Sequence, residues 1–178
     1  MVPVFLANGF EEIEALATVD ILRRAGVDVV TVAVGDRVPT GAHAITVCAD
    51  ITENELVLES IEGVVLPGGM PGTTNLEASA VVQRAVAHAA EHGLLLAAIC
   101  AAPSILGHGG YLMGKEATCY PGFESELSGA VLGTGVVVDG NIITASGAGV
   151  AVDFALALVR YLVSPDVAEA IRGGIQCR

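Results

Sequence analysis

Short apolar runs alternate along this chain with longer segments in which apolar residues recur every three or four positions. Such runs predict strands and such segments predict helices, because side chains repeat every two residues on a strand and every ~3.6 on a helix. The predicted strands are residues 2–6, 27–34, 64–66, 94–99, 136–138 and 141–144, with a weaker, antiparallel one at 44–48. The predicted helices are residues 11–25, 53–61, 79–91, 103–106, 148–162 and 165–172.

The repeated alternation of strand and helix predicts a parallel sheet with helices on both faces. Residues 94–99 are wholly apolar, as is typical of a strand covered on both sides. Asp139 and Gly140 form a strong hairpin signal between the last two strands, so we expect one antiparallel pair. No repeat, linker or low-complexity stretch divides the chain, and we therefore expect one α/β domain over residues 1–178.

The composition narrows the class of protein. Hydrophobic residues make up 53% of the chain, which excludes a disordered protein. A net charge of −12 and a single lysine, Lys115, argue against nucleic acid as a partner. We expect no membrane span and no signal peptide, because no apolar run is long enough and no basic segment opens the chain. The expected location is the cytoplasm, where the four cysteines stay reduced.

Cys100 is the strongest candidate for chemistry. It directly follows the apolar strand and precedes a helix, so it is held out of the core on a sharp turn, as in a nucleophile elbow. The dipole of the following helix is expected to lower the pKa of its thiol. Gly68 and Gly69 follow another strand and could direct backbone N–H groups at an oxyanion. The alternative is a packing role, since free cysteine is among the most buried residue types.

Glu14 lies in the first turn of the first helix, near the carboxyl end of the first strand. It could lean over the same crevice as Cys100, because sites in parallel sheets lie beyond the carboxyl ends of the strands. The alternative is a solvated glutamate at a helix start, and Glu11 and Glu12 fit that interpretation better still.

The sequence offers no spacing typical of a metal or phosphate site. No CxxC motif is present, and the glycine-rich segment 67–72 lacks the lysine of a phosphate-binding loop. We therefore expect no metal and no cofactor. The histidines without metal-ligand spacing are His43, His88, His92 and His108, and the cysteines interpreted as packing or surface thiols are Cys48, Cys119 and Cys177.

Several motifs in order along nearly the whole chain resemble the DJ-1/ThiJ/PfpI superfamily, and its DJ-1-like branch most closely. They are residues 9–14 (GFEEIE), 20–26 (DILRRAG), 65–69 (VLPGG), 97–103 (AAICAAP), 144–149 (TASGAG) and 153–156 (DFAL). The resemblance implies a flavodoxin-like three-layer sandwich and a homodimer. It also implies that Cys100 is the reactive cysteine, that Glu14 is its acidic partner, and that the backbone amides of Gly69 and Ala101 line an anion pocket. A carboxyl group beside a thiolate is expected to have a raised pKa and to keep its proton.

The chain also departs from the family pattern. Tyr120 stands where relatives often carry a histidine, and a phenol can donate a hydrogen bond in the pocket but is a poor base at neutral pH. Ser146 and Ala148 replace the arginine or glutamine and the proline that are common in relatives. The protease branch has histidine at the position of Ala101, so a protease or amidase is not expected.

Three functional hypotheses follow. The first is a glutathione-independent glyoxalase or deglycase, in which Cys100 forms a hemithioacetal with a small 2-oxoaldehyde such as methylglyoxal. The second is a redox-responsive, chaperone-like protein in which peroxide oxidises Cys100 without turnover. The third is a relative with a vestigial site, which the changes at Tyr120 and Ser146 suggest. The expected partners are a small carbonyl compound or peroxide, and a second copy of the chain.

Overall fold

Seven strands form one sheet in the order β3-β2-β1-β4-β5-β9-β8. The computed structural model describes residues 1–177. All pairs in this sheet are parallel except β8 with β9, which is antiparallel as the Asp139–Gly140 turn predicts. The strands are β1 (Val2–Leu6), β2 (Val29–Ala33), β3 (Ile51–Thr52), β4 (Gly63–Leu66), β5 (Leu95–Ile99), β6 (Glu116–Ala117), β7 (Val131–Leu132), β8 (Val136–Asp139) and β9 (Ile142–Ala145). A separate small sheet contains β6 and β7.

Helices cover both faces of the main sheet. They are α1 (Glu12–Arg24), α2 (Gly72–Ala78), α3 (Ala80–Glu91), α4 (Pro103–His108), α5 (Ala151–Leu162) and α6 (Pro165–Gly174). One core lies between the sheet and α1, α5 and α6, and the other lies under α2, α3 and α4. Leu95, Ala97 and Ile99 of β5 enter the first core, and Leu96 and Ala98 enter the second. The wholly apolar run therefore follows from burial on both sides, and the predicted α/β sandwich is confirmed.

Helix α1 places its acidic start beside the carboxyl ends of the strands. The Glu11 side chain caps it by accepting a hydrogen bond from the Ile13 N–H at 3.4 Å. Arg23 and Arg24 lie in the last turn, where cations stabilise the helix dipole, and Gly26 follows with a φ of +75°. The predicted boundaries of 11–25 therefore include the two capping residues.

Some predicted elements were wrong. Residues 53–61 form two 3₁₀ turns, Glu53–Glu55 and Leu58–Ser60, rather than one helix. The weak strand at 44–48 is reduced to a single antiparallel bridge between Thr40 and Thr46. Helix α2 was missed because its first residues, Gly72 and two threonines, are poor helix formers; tertiary burial of Leu76 stabilises it instead. Strands β6 and β7 are too short to show a period.

Among residues 1–177, no helix combines the length and the apolar character that crossing a membrane requires.

Candidate active site

Three chain segments meet at one edge of the sheet, because β1, β4 and β5 are neighbours and run parallel. Cys100 follows β5 and has a φ of +65°, which is rare for a residue with a side chain. Its N–H donates to the Ala145 carbonyl and its carbonyl accepts from the Tyr120 N–H, each at 2.8 Å. These two bonds hold the strained residue in place, as a nucleophile elbow requires.

Glu14 is buried against this turn, with only 1% of its surface exposed. Its Oε2 accepts a hydrogen bond from the Gly68 N–H at 2.9 Å, while Oε1 is buried with no hydrogen-bond partner among residues 1–177. Burial raises the pKa of Glu14 to about 7, although hydrogen bonds with Gly68 and Cys100 lower it. The solvated alternative for Glu14 is therefore wrong. The expected direction of the shift in its pKa is confirmed, but burial causes the rise and not repulsion by a neighbouring thiolate.

The Cys100 thiol lies between Glu14 and two backbone amides. Burial, together with the charge of Glu14 and a hydrogen bond with it, raises the pKa of the thiol to about 12. The N–H groups of Gly69 and Ala101 lie close to the sulfur and lower this pKa. The sequence-based expectation of a lowered thiol pKa was wrong, because α4 has only six residues and burial outweighs its dipole.

The thiol and the carboxyl of this pair titrate together. The group that ionises first does so near pH 7, and the second proton is lost only near pH 12. Between about pH 7 and about pH 12 the pair of Glu14 and Cys100 therefore holds one proton. When it lies on Glu14, the negative charge that opposes thiolate formation is gone, and the acid can donate a hydrogen bond to the sulfur.

The loop after β4 approaches the site so closely that only glycine fits. A Cβ on Gly68 would lie 2.6 Å from the Cys100 Cβ and 2.8 Å from the Glu14 Oε2. Gly69 has a φ of +90°, and a Cβ there would collide with the Glu11 backbone nitrogen. The paired glycines therefore bring the Gly68 N–H to Glu14 and the Gly69 N–H to Cys100.

Tyr120 lies beside Cys100 through its backbone. Its ring packs against Gly147, because the Tyr120 Cδ2 lies 3.4 Å from the position that a Cβ on Gly147 would occupy. Tyr120 is 50% exposed. Within the described chain its hydroxyl makes no hydrogen bond, so the pocket bond suggested for Tyr120 stays a prediction. Ser146 lies nearby and lines a separate cavity of about 200 Å³ together with Cys119.

Glu12 is a polar residue whose role the sequence analysis missed. It is 4% exposed, not solvated, and its carboxylate accepts hydrogen bonds from the N–H and the Nδ1 of His43 at 2.7 and 2.9 Å. Burial opposes its ionisation, but the bonds from His43 and Ile45 hold the pKa of Glu12 below its usual range. No local signal in the sequence points to this contact, because the partner loop lies 31 residues away.

All four cysteines are free thiols, as expected. Cys48 is exposed, Cys119 is buried and Cys177 is half-buried. Burial raises the pKa of Cys119 to about 11. None of these three has the combination of positive φ, two amide donors and a buried acid that surrounds Cys100.

The fold and the site define an α/β sandwich protein with a cysteine on a nucleophile elbow, faced by a buried carboxyl group. The sequence matches the DJ-1/PfpI family over residues 1–161, and the chain belongs to this family.

Curated relatives and solved structures agree with this assignment. The chain is 35% identical over 182 residues to protein DJ-1 homolog B of Arabidopsis thaliana, covering 100% of this chain and 41% of that protein. It is 33% identical over 176 residues to protein dj-1beta of Drosophila melanogaster, covering 97% and 94%. The structure of oxidized Toxoplasma gondii DJ-1 superposes with a TM-score of 0.94 at 34% identity, covering 98% and 97%.

The chain spans about two fifths of the length of the Arabidopsis relatives, with 41% and 44% of their residues matched. A more distant relative, from Caenorhabditis elegans, is named glutathione-independent glyoxalase DJR-1.2. It is 27% identical over 165 residues, covering 90% of this chain and 87% of that protein.

Proposed function

We propose that this protein is a glutathione-independent glyoxalase or deglycase that uses Cys100 to convert small 2-oxoaldehydes such as methylglyoxal. The observation that carries the proposal is the placement of one thiol between a buried acid with a pKa of about 7 and two N–H donors. The name of the Caenorhabditis elegans relative supports this reaction class. In this proposal Glu14 carries the protons, and the backbone N–H groups of Gly69 and Ala101 donate hydrogen bonds to the oxyanion.

The first step is addition of the thiol to the aldehyde. The ionised Glu14 accepts the Cys100 proton while the sulfur forms a bond to the aldehyde carbon, and the carbonyl π electrons move to oxygen. The N–H groups of Gly69 and Ala101 adjoin the sulfur and so lie within reach of the developing oxyanion. Protonation of this oxygen by Glu14 gives the hemithioacetal and returns Glu14 to its ionised form.

Rearrangement and hydrolysis complete the cycle. Glu14 removes the proton from the carbon that carries the sulfur, giving an enediol, and a proton is returned to the neighbouring carbon. The product is a thioester of lactic acid on Cys100. Water hydrolyses this thioester, which releases lactate and restores the thiol, so glutathione and a cofactor are not consumed. In the deglycase variant the aldehyde begins as an adduct with an amine or a thiol.

The test is methylglyoxal consumption without glutathione, followed by quantification of lactate. We expect multiple turnovers in the wild type, and a loss of at least ~100-fold in kcat/KM in Cys100→Ser and in Glu14→Gln. Cys48→Ser is the matched control, since that thiol is exposed and lacks the acid and the two donors. Equal lactate production by the wild type and Cys100→Ser would contradict the mechanism.

A second candidate function is a redox response at Cys100 without turnover. Two backbone amides close to the sulfur, and an acid with one unpartnered oxygen, suit a sulfinate as well as a thiolate. The solved relative from Toxoplasma gondii is described as oxidized, which supports this alternative. Intact-mass spectrometry after mild peroxide separates the two: a two-oxygen adduct on Cys100, with methylglyoxal consumed only stoichiometrically, favours the redox role.

We further propose that the chain acts as one domain, forms a homodimer and works in the reducing cytoplasm. The match covers 94% of the length of the Drosophila relative, which supports the single-domain arrangement. Light scattering during gel filtration tests the dimer: a mass near twice 18.0 kDa is expected, and a mass near 18.0 kDa at micromolar concentration would contradict it.

A further inference from the structure

A second cluster of ionisable groups lies outside the Cys100 pair, where the start of α1 meets the loop of residues 40–46. The side chains of Glu11, Glu12 and His43 each offer one ligand atom there, and these atoms all lie within 4.8 Å of one another. None of the three side chains belongs to the proposed catalytic machinery. The histidine spacing along the sequence predicted no metal site, but this cluster combines one histidine with two carboxylates from a distant segment.

The distances in the cluster match the spacing between ligands around a small cation. His43 Nδ1 lies 2.9 Å from Glu12 Oε2 and 3.3 Å from Glu11 Oε2. Ligands bound tetrahedrally at about 2.0–2.1 Å from zinc are about 3.3 Å apart. The two distances to His43 Nδ1 are therefore close to this spacing, and the two carboxylate oxygens lie within 4.8 Å of each other.

The carboxylates are held in position by bonds that leave their ligating oxygens available. Glu12 Oε1 accepts the backbone N–H groups of His43 at 2.7 Å and Ile45 at 3.4 Å, which leaves Oε2 facing the imidazole. Glu11 Oε1 caps α1 through Ile13, so its Oε2 is the free oxygen. Such supporting bonds orient ligands and strengthen metal binding.

The two carboxylates are largely buried and the imidazole is exposed, as in a metal site that is open to solvent. The side chains of Glu12 and Glu11 are 4% and 13% exposed, whereas His43 is 70% exposed and gives access from solvent. Two ionised carboxylates and a neutral imidazole carry a net charge of −2, which one divalent cation would neutralise, in a chain that carries −12 overall. One nitrogen and two oxygen ligands suit zinc, which accepts both, better than magnesium or calcium, which prefer oxygen.

We propose that Glu11, Glu12 and His43 form a binding site for a zinc-like divalent cation, with solvent completing the coordination. His43 binds through Nδ1 as a neutral imidazole with its proton on Nε2, so binding to the imidazolium form releases one proton to solvent. The site is distinct from the Cys100 thiol and contains no sulfur ligand.

The test is titration of the full chain with Zn²⁺ by calorimetry, and with Co²⁺ by visible absorption. We expect one site, with affinity at least ~10-fold weaker in His43→Ala and in Glu11→Gln, which keeps an oxygen to cap α1. The Co²⁺ complex should show the visible bands of a low-symmetry site without sulfur-to-cobalt charge transfer. Cys100→Ser and His92→Ala are the controls, the latter because His92 stacks on His88 at the C-terminal end of α3.

The outcomes separate the alternatives. Unchanged affinity in His43→Ala, loss of binding in His92→Ala, or a thiolate charge-transfer band lost in Cys100→Ser would each overturn the proposal. Absence of Zn²⁺ binding at millimolar concentration in the wild type would do so as well. Glu12 is left unchanged in the test because its loss would release the loop that it holds.

Discussion

Replacing Glu14 by glutamine tests the central electrostatic feature of the site through stability rather than activity. In the unfolded chain Glu14 loses its proton near the ordinary pKa of 4.5, whereas in the fold burial raises this pKa to about 7. Between these values the unfolded chain releases a proton that the folded chain keeps. The stability that the protonated Glu14 contributes is therefore complete below pH 4.5 and is lost as the pH rises through about 7.

The size of the effect follows from this pKa. A rise from 4.5 to about 7 corresponds to a loss of about 3 kcal/mol, at about 1.4 kcal/mol for each pH unit. Glutamine keeps the oxygen that accepts the Gly68 N–H at 2.9 Å but carries no charge, so Glu14→Gln lacks this loss. We expect the free energy of unfolding of Glu14→Gln, relative to the wild type, to increase by about 3 kcal/mol between pH 4.5 and pH 8.

Urea unfolding followed by circular dichroism at half-unit pH steps measures this difference. Other carboxyl groups titrate in both proteins, so their contributions cancel in the comparison. The exposed Glu59→Gln is the control and should give a curve parallel to that of the wild type. Parallel curves for Glu14→Gln and the wild type would refute the reasoning, because they would mean that Glu14 ionises in the fold as it does in water.

The remaining predictions concern the surroundings of the pair. The kcat/KM of the wild type for methylglyoxal should rise as the pH increases through about 7, where Glu14 becomes the base, and a flat profile there would exclude this role. Gly68→Ala should abolish turnover and lower the free energy of unfolding in urea by about 1–3 kcal/mol, because the new Cβ would lie 2.6 Å from the Cys100 Cβ. Gly173→Ala is the control: it has open space around it and should change neither turnover nor stability. Thr144→Val should lower the free energy of unfolding by about 1–3 kcal/mol, because it leaves the buried Thr118 N–H without its acceptor at 2.9 Å. Thr144→Ser keeps the hydroxyl and should retain most of this stability. Equal losses in Thr144→Val and Thr144→Ser would mean that packing, and not the hydrogen bond, causes the effect.

Much of the fold could be predicted because its signals are local. The apolar run that became β5 indicated burial on both faces, and Cys100 directly after it indicated a strand-to-helix turn. Helices α1 and α3 were predicted to within their capping residues, since Glu11 and Ser79 are recognisable at the helix starts. Helix α2 was not, because tertiary contacts outweigh the weak helix propensity of its first residues.

In the candidate site, too, local features could be predicted from the sequence, whereas burial could not. Among the three glutamates at the start of α1, sequence position alone does not say which is buried, and Glu12 was wrongly interpreted as solvated. Its burial depends on a loop around His43 that returns from another part of the chain. The direction of the thiol pKa was wrong for a similar reason, since a helix dipole is visible in the sequence whereas burial is not.

The sequence by itself determined the layered α/β architecture, the turn at Cys100 and the membership of a family, because these depend on periodicity and on short motifs. Only the tertiary structure decided the protonation of the Glu14–Cys100 pair and the assembly of Glu11, Glu12 and His43. Both depend on desolvation and on distances between segments far apart in the chain, and these quantities exist only once the chain has folded.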